Sequence, residues 1–263
     1  MPVSSSEPPR FAPEQEQLFR AVLQLLNDAK IPYVVSGAFA LHEHTGIWRD
    51  TKDLDLFMSP DQVSPAMEIL NERGFGTDVC DPVWLSKVRQ GEYFIDLISG
   101  MSNAVIRVDQ SWIERAFDSE VLGISVKVLA PEELIASKIF VAFRERFDGA
   151  DIAHIVYAAG NTMDWSRLLS LVGEHWEMLL WSLILFHYVY PSANAVPKPV
   201  WEELLTRFRV EVENPDPKAP FRGSLIDENM FAIDVREWKL QNVIEDYREQ
   251  AGPKIGEVTE PAA

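Results

Sequence analysis

Two short stretches constrain this chain more than any other part of it. Residues 34–40 (VVSGAFA) place two β-branched residues before a small-residue turn, and the residues after the turn favour a helix. Residues 51–57 (TKDLDLF) then predict a second strand that carries Asp53 and Asp55. Side chains alternate along a strand, so both carboxylates share a face while Leu54 points to the other. Two adjacent carboxylates repel each other unless a cation lies between them, so the pair predicts a site for a divalent metal. The turn before the helix predicts a site for phosphate groups bound to that metal.

Asp96 strengthens this interpretation because it lies in the middle of an otherwise apolar strand, residues 92–99. We expect a carboxylate in such a strand to be partly buried, and an unpaired buried charge is costly. If this strand lies beside that of Asp53 and Asp55, the three carboxylates form a cup for two metal ions, which in such sites lie roughly 3.5–4 Å apart. The alternatives are a salt bridge or an edge position for Asp96, and a solvated strand end for the other two.

The composition is that of a folded, acidic chain. Of its 263 residues 47% are hydrophobic, and the formal charge is −17. That charge disfavours general nucleic-acid binding, although a local basic groove stays open. The single cysteine, Cys80, excludes an internal disulfide and a cysteine-based zinc cluster, and it fits a reducing cytosol. Residues 1–17 lack the pattern of a signal peptide and the apolar run 178–190 is too short to span a bilayer, so we expect a cytoplasmic protein without a membrane segment.

The hydrophobic pattern predicts an α/β region followed by a helical one. We expect a flexible N-terminus at 1–12, an α/β domain holding the aspartates at 13–130, a helical domain at 131–213 and a C-terminal extension at 214–263, with the last dozen residues disordered. The elements expected after residue 130 are helices at 131–145, 147–159, 164–190 (broken at Gly173) and 198–208, an extended segment at 230–235, and a helix at 238–247.

The order of these motifs resembles the nucleotidyltransferases of the DNA polymerase β superfamily. That pattern is a glycine followed by Gly or Ser, then Asp-x-Asp, then a single Asp on a later strand; here serine takes the first glycine position, in Ser36-Gly37. The further resemblance is to the AbiEii-like branch, where a Leu-x-x-x-Lys helix precedes an arginine and Asp-x-x-Asp. The resemblance covers roughly residues 31–160. The further residues that match the pattern of this branch are Leu134, Lys138, Arg144, Arg146, Asp148 and Asp151, together with the Arg49-x-Thr51-x-Asp53-x-Asp55 run.

The resemblance implies an α+β fold, in which a nucleotidyltransferase domain with a mixed sheet and flanking helices is followed by a helical domain. It implies that Asp53 and Asp55 bind two Mg²⁺ (or Mn²⁺) ions. Asp96 would bind the catalytic ion and help to deprotonate the attacking hydroxyl.

The resemblance also implies contacts to a nucleoside triphosphate such as ATP. The Ser36 hydroxyl and the amides of Ser36 and Gly37 would hold the β- and γ-phosphates, and Lys138 would reach the phosphates as a point charge. Asp148 and Asp151 would orient Lys138 or an arginine, and Asp151 would also serve as a base; a helix N-terminal cap explains Asp148 equally well.

The activity implied is transfer of a nucleoside monophosphate to an acceptor hydroxyl with release of pyrophosphate. Trp48 and Arg49 would contact the base or the acceptor, with a packing role as the equal alternative. The acceptors known for the superfamily are tRNA, proteins and small molecules, and an antitoxin is a further partner in the toxin-type branch. The alternative is an inactive nucleotide-binding or interaction module that keeps the fold, a hypothesis motivated by Ser36 in place of glycine.

Overall fold

The protein divides into two compact units in the computed structural model. The first comprises residues up to 130 together with those from 248 onward, and the second comprises residues 131–247. Residues 214–247, which we assigned to a C-terminal extension, are therefore grouped with the second unit. The structure describes residues 4–49, 51–251 and 255. The predictions that residues 1–3 are flexible and that residues 252–254 and 256–263 are disordered concern residues outside this set.

The first unit combines a mixed sheet with four helices. Its strands are β1 (Ser4–Ser5), β2 (Val34–Val35), β3 (Trp48–Arg49), β4 (Asp55–Phe57), β5 (Gly76–Asp81), β6 (Leu85–Gln90), β7 (Tyr93–Ile98), β8 (Phe117–Val121) and β9 (Ile124–Val128). Its helices are α1 (Pro13–Ala29), α2 (Gly37–Thr45), α3 (Pro60–Glu72) and α4 (Gln110–Glu114).

Seven of these strands form one sheet in the order β5-β6-β7-β4-β2-β9-β8. Strand β4 is antiparallel to β2 and parallel to β7, with Asp55 directly opposite Asp96. Strands β6 and β7 form an antiparallel hairpin in which Lys87 is opposite Asp96. The central position of β4 thus places the aspartates of two predicted strands side by side.

The apolar side of the sheet explains why this register is fixed. Leu54, Leu56, Ile95 and Leu97 alternate with the aspartates and are fully buried, and α1 packs against β7 on the sheet. A slip of one residue would bury the carboxylates and expose the leucines, so the hydrophobic alternation specifies the pairing.

Two features of the first unit differ from the expectations. Asp53 precedes β4 instead of lying in it, because the Thr51 hydroxyl donates to the Asp53 backbone carbonyl and carboxylate and forms a tight turn there. Within the N-terminal segment expected to be flexible, Ser4–Ser5 pairs antiparallel with Trp48–Arg49. The described part of that segment thus contains a short strand that the hydrophobic periodicity of the sequence does not predict.

The second unit is helical, as expected. Its elements are α5 (Pro131–Lys138), α6 (Gly149–Ala159), α7 (Trp165–Val172), a 3-10 turn (Gly173–His175), α8 (Trp176–Val189), α9 (Lys198–Glu213), α10 (Gly223–Ile226), α11 (Ala232–Arg236) and α12 (Val243–Glu249), of which α12 ends beyond residue 247. The expected break at Gly173 is confirmed, and this residue has φ +51°. The α+β class, with a helical region after the mixed sheet, is confirmed as well.

Two predictions from the sequence pattern were wrong in this unit, one of a helix and one of an extended segment. The helix expected at 131–145 ends at Lys138, because the chain folds back through a bridge between Ala142 and Phe147. The segment 230–235, expected to be extended, is a turn and the start of α11. There the Asp227 carboxylate accepts hydrogen bonds from the backbone N–H groups of Asn229 and Met230, which favours a turn over a strand.

One stretch of the described residues, Trp165–Val189, is long and apolar enough to cross a membrane by length and composition alone. The 3-10 turn after α7 interrupts it, and 44% of its most apolar window is buried inside the protein. A core helix has the same properties, so this is weak evidence for a membrane span.

Candidate active site

Three carboxylates converge on the polar side of the sheet. Asp53, Asp55 and Asp96 each offer an oxygen atom, and these three atoms lie within 4.8 Å of one another. All three residues are half-buried. Asp55 and Asp96 meet through the parallel pairing of β4 with β7, whereas Asp53 is presented by the turn before β4. The convergence expected from the sequence is confirmed.

The surroundings of Asp96 are both apolar and charged. Burial raises the pKa of Asp96 above its ordinary value; the Lys87 ammonium opposes this shift, and the nearby charge of Asp53 adds to it. Lys87 Nζ lies 2.5 Å from Asp96 Oδ1. Asp53 in turn accepts a hydrogen bond of 2.9 Å from the Thr51 hydroxyl. The cluster therefore concentrates negative charge in a place where water is partly excluded.

The donor set fits a hard divalent cation. Its three ligands are carboxylate oxygens, the type preferred by Mg²⁺ and Mn²⁺ over softer metals. Such an ion would relieve the repulsion among the aspartates that the structure brings together.

Gly37 presses directly against this cluster. It is the first residue of α2 and has φ +59°, in the left-handed region. A Cβ atom on Gly37 would lie 1.9 Å from Asp55 Oδ2, so no other residue fits without displacing that carboxylate. The backbone N–H of Ser36 donates to the Asp55 carbonyl at 2.9 Å. The N-terminus of α2, which suits an anion, is therefore adjacent to the carboxylate cluster.

Ser36 occupies the N-cap position of α2 and is 2% exposed. Its side chain makes no capping hydrogen bond to the helix. The turn that the sequence predicts is present. The Ser36 amide is not available for the phosphate contact expected of it, because its N–H donates to the Asp55 carbonyl. The phosphate contact of the Ser36 hydroxyl remains a prediction.

The loop before the aspartates packs on α2. The Trp48 ring stacks on His42 with centroids 4.0 Å apart and meets Phe39 edge-on at 5.4 Å. This supports the packing interpretation for Trp48. Arg49 is half-buried in β3, opposite Ser4. A contact of Arg49 with the base or acceptor remains a prediction.

Lys138, Asp148 and Asp151 form a buried cluster in the second unit. Lys138 Nζ lies 2.8 Å from Asp148 Oδ2 and 2.9 Å from Asp151 Oδ2, and none of the three side chains is more than 8% exposed. Although Asp148 occupies the N-cap position of α6, its carboxylate binds Lys138 and Arg146 and makes no capping hydrogen bond. The expected orientation of Lys138 by two aspartates is thus present.

The charges in this second cluster stabilise one another. Burial by itself would lower the pKa of Lys138, but the two aspartates outweigh it and raise that pKa. Burial would likewise raise the pKa of Asp148, yet Lys138 and Arg146 lower it to about 2. Two of the three Lys138 donors are engaged within the unit, and the phosphate contact of Lys138 and the base role of Asp151 remain predictions.

Sequence reasoning missed Lys87, the cation beside Asp96. The signal was available, because two strands joined by a tight turn at Gly91 pair in a fixed register, and counting back from that turn places Lys87 opposite Asp96.

Several solved structures match part of the chain at low sequence identity. The antibiotic-resistance factor ANT(2″)-Ia is 15% identical, with 66% of this chain and 97% of that chain covered and a TM-score of 0.43. The lincosamide antibiotic adenylyltransferase LnuA is 14% identical, with 56% and 98% covered and a TM-score of 0.38. A nucleotidyltransferase from Thermotoga maritima is 13% identical, with 48% and 83% covered and a TM-score of 0.37.

No curated protein matches the sequence. A family model, in contrast, matches residues 15–255, which include all three clustered aspartates and the buried lysine cluster. The nucleotidyltransferase part of the resemblance is thereby confirmed. The chain belongs to the family described as nucleotidyl transferase of unknown function (DUF2204).

Proposed function

We propose that this protein transfers a nucleoside monophosphate from a nucleoside triphosphate to an acceptor hydroxyl, with release of pyrophosphate. The observation that carries the proposal is the convergence of Asp53, Asp55 and Asp96 beside the Gly37 turn, in a member of a nucleotidyltransferase family. Three carboxylates and an anion-binding helix N-terminus are complementary to a divalent cation bound to a triphosphate.

In this mechanism Asp53, Asp55 and Asp96 would hold Mg²⁺ or Mn²⁺, which would supply charge neutralisation for the triphosphate. The Ser36 hydroxyl and the Gly37 amide orient the β- and γ-phosphates, whereas the Ser36 N–H is bound to the Asp55 carbonyl. Asp96 accepts the proton of the acceptor hydroxyl, whose oxygen then bonds to the α-phosphorus as the bond from that phosphorus to the leaving pyrophosphate breaks.

The finer assignments rest on the resemblance alone. They are membership of the AbiEii-like branch, a phosphate contact from Lys138, a contact of Arg49 with the base or acceptor, a base role for Asp151, and an antitoxin partner. The acceptor is a tRNA, a protein or a small molecule, and the formal charge of −17 favours an acceptor other than an extended nucleic acid. The exposed thiol of Cys80 supports a cytoplasmic location.

The test is a labelling screen with the full chain. Each of the four nucleoside triphosphates, labelled at the α-phosphate, is incubated with total tRNA, total protein or an antibiotic panel in Mg²⁺ or Mn²⁺. We expect metal-dependent label transfer with stoichiometric pyrophosphate, and a loss of at least about 100-fold in Asp53→Ala and Asp96→Ala.

Asp78→Ala provides the control, because Asp78 lies on β5 and binds Arg89 instead of the cluster. Absence of transfer with every triphosphate, combined with nucleotide binding that neither cluster variant changes, would contradict the proposal. Nucleotide binding without transfer would instead support the inactive module that Ser36 suggests.

A further inference from the structure

The carboxylate cluster already has a cation of its own. Lys87 Nζ lies 2.5 Å from Asp96 Oδ1, and the two side chains are only 18% and 14% exposed. The same ammonium lies 3.9 Å from the centroid of the Phe94 ring. An ion pair that is largely removed from water is screened much less by solvent than a surface pair.

The sheet fixes Lys87 in this place. Residues 87 and 96 are direct partners in the β6–β7 ladder, so their side chains leave the sheet on the same face. Phe94 stands two residues before Asp96 on that face and supports the ammonium from the side.

Arg89, the next cation along the same face of β6, is engaged elsewhere. Its Nε lies 2.7 Å from Asp78 Oδ2, and both of these side chains are exposed. Two cations on one strand thus differ in their partners: Lys87 pairs with the carboxylate cluster, whereas Arg89 pairs with the neighbouring strand.

We propose that Lys87 is the resident counter-cation of the carboxylate cluster. It positions Asp96 before metal binds, competes with the divalent cation for the Asp96 carboxylate, and releases that carboxylate when the cation binds. The proposal rests on the proposed metal-binding function of the cluster. Its physical basis is that an ammonium contacting one ligand offsets the negative charge that attracts the metal, and repels a second cation placed a few ångströms away. Lys87 therefore sets the metal concentration at which the site fills.

The test measures Mn²⁺ affinity of the full chain by electron paramagnetic resonance, without nucleotide or acceptor. We expect Lys87→Met and Lys87→Gln to bind Mn²⁺ at least about tenfold more tightly than the wild type, because both remove the competing charge. Lys87→Gln also retains a hydrogen-bond donor for Asp96, so it separates the effect of the Lys87 charge from the effect of its hydrogen bond to Asp96. Lys87→Arg, which keeps the charge, should bind Mn²⁺ with nearly the wild-type affinity.

Arg89→Met is the matched control. The Arg89 charge also acts on Asp96, but from an exposed side chain that pairs with Asp78, so we expect its removal to change Mn²⁺ affinity by less than about threefold. Adding Asp53→Asn to Lys87→Met should abolish the gain, which locates it at the cluster. Unchanged or weaker Mn²⁺ binding in both neutral variants would overturn the proposal.

A second measurement uses the wild-type protein and so does not depend on whether the variants fold. Lysines are acetylated with an amine-reactive ester with and without Mg²⁺, and modification of Lys87 is quantified by mass spectrometry against Lys198, whose side chain is 86% exposed. Release of Asp96 should make Lys87 more reactive when Mg²⁺ is present. Equal or lower reactivity would overturn the release step.

These readouts separate this inference from the proposed function. Tighter Mn²⁺ binding in Lys87→Met, without label transfer to any acceptor, would support the counter-cation and contradict the enzyme. Label transfer to an acceptor, with Mn²⁺ affinity unchanged in the neutral variants, would support the enzyme and contradict the counter-cation role of Lys87.

Discussion

Gly37 shows how one missing side chain can decide the geometry of a site. Its left-handed backbone and its contact with Asp55 are separate requirements: the first is conformational and the second is steric. Gly46, at the other end of the same helix, also has a positive φ of +70°, but nothing lies within 4 Å of the place where its Cβ would be. Comparing substitutions at the two glycines therefore separates the effect of backbone strain from the effect of displacing the Asp55 carboxylate.

We expect Gly37→Ala to weaken Mn²⁺ binding and label transfer by at least about 100-fold, because the methyl group would displace the Asp55 carboxylate. Gly46→Ala should lower the free energy of unfolding by about 1 kcal/mol and leave both activities within about twofold of the wild type. Transfer assays and Mn²⁺ titrations of the two variants, with urea unfolding, test this difference. Equal losses of activity in both would show that backbone strain, and not contact with Asp55, makes glycine necessary.

Among the helices, the connection between α5 and α6 depends on a buried charge cluster. Lys138 ends α5, and Asp148 and Asp151 come from the start of α6, so their ion pairs hold these two helices together. Each aspartate is at most 8% exposed. Removing the ammonium would leave two carboxylates in the interior without their shared partner.

We expect Lys138→Met to lower the free energy of unfolding by about 3–5 kcal/mol at pH 7, because two buried carboxylates would lose the ammonium that they share, although Asp148 would keep Arg146. Lys198→Met is the control: Lys198 pairs with Glu202 on the exposed side of α9, and its loss should cost less than about 0.5 kcal/mol. Urea unfolding followed by circular dichroism measures both. Similar small losses in the two variants would mean that the buried cluster contributes little to stability.

The sequence predicted elements best where hydrophobic periodicity and local signals agreed. The apolar helical stretch expected at 164–190 is present and is broken at Gly173, as predicted. The prediction was wrong where long-range or side-chain contacts decide the backbone: α5 stops where Lys138 meets its aspartates, and Asp227 turns the segment expected to be extended.

The candidate site shows the same division. The proximity of Asp55 and Asp96 could be predicted, since alternation fixes which face each side chain takes and buried leucines fix the register. Asp53 is presented by the Thr51 turn before β4, so alternation does not account for its position. The contact between Gly37 and Asp55 could not, because it depends on how α2 meets β4 within a few tenths of an ångström.

The whole chain carries 41 acidic and 24 basic residues, a formal charge of −17. Such an excess repels itself in the folded state, and salt reduces that repulsion. A divalent cation should act in two ways on this protein: it screens the general repulsion, as any salt does, and it binds the carboxylate cluster. Only the second effect requires Asp53 and Asp55.

Thermal unfolding in NaCl and in MgCl₂ at matched ionic strength separates these contributions. We expect NaCl to raise the unfolding midpoint modestly through screening, and Mg²⁺ well above its dissociation constant to raise it by about 5 °C more, because a ligand of the native state stabilises it by mass action. In the double variant Asp53→Asn and Asp55→Asn the two salts should act alike. An equal excess of Mg²⁺ over Na⁺ in the wild type and the double variant would place the stabilising ions on the general acidic surface instead of at the cluster.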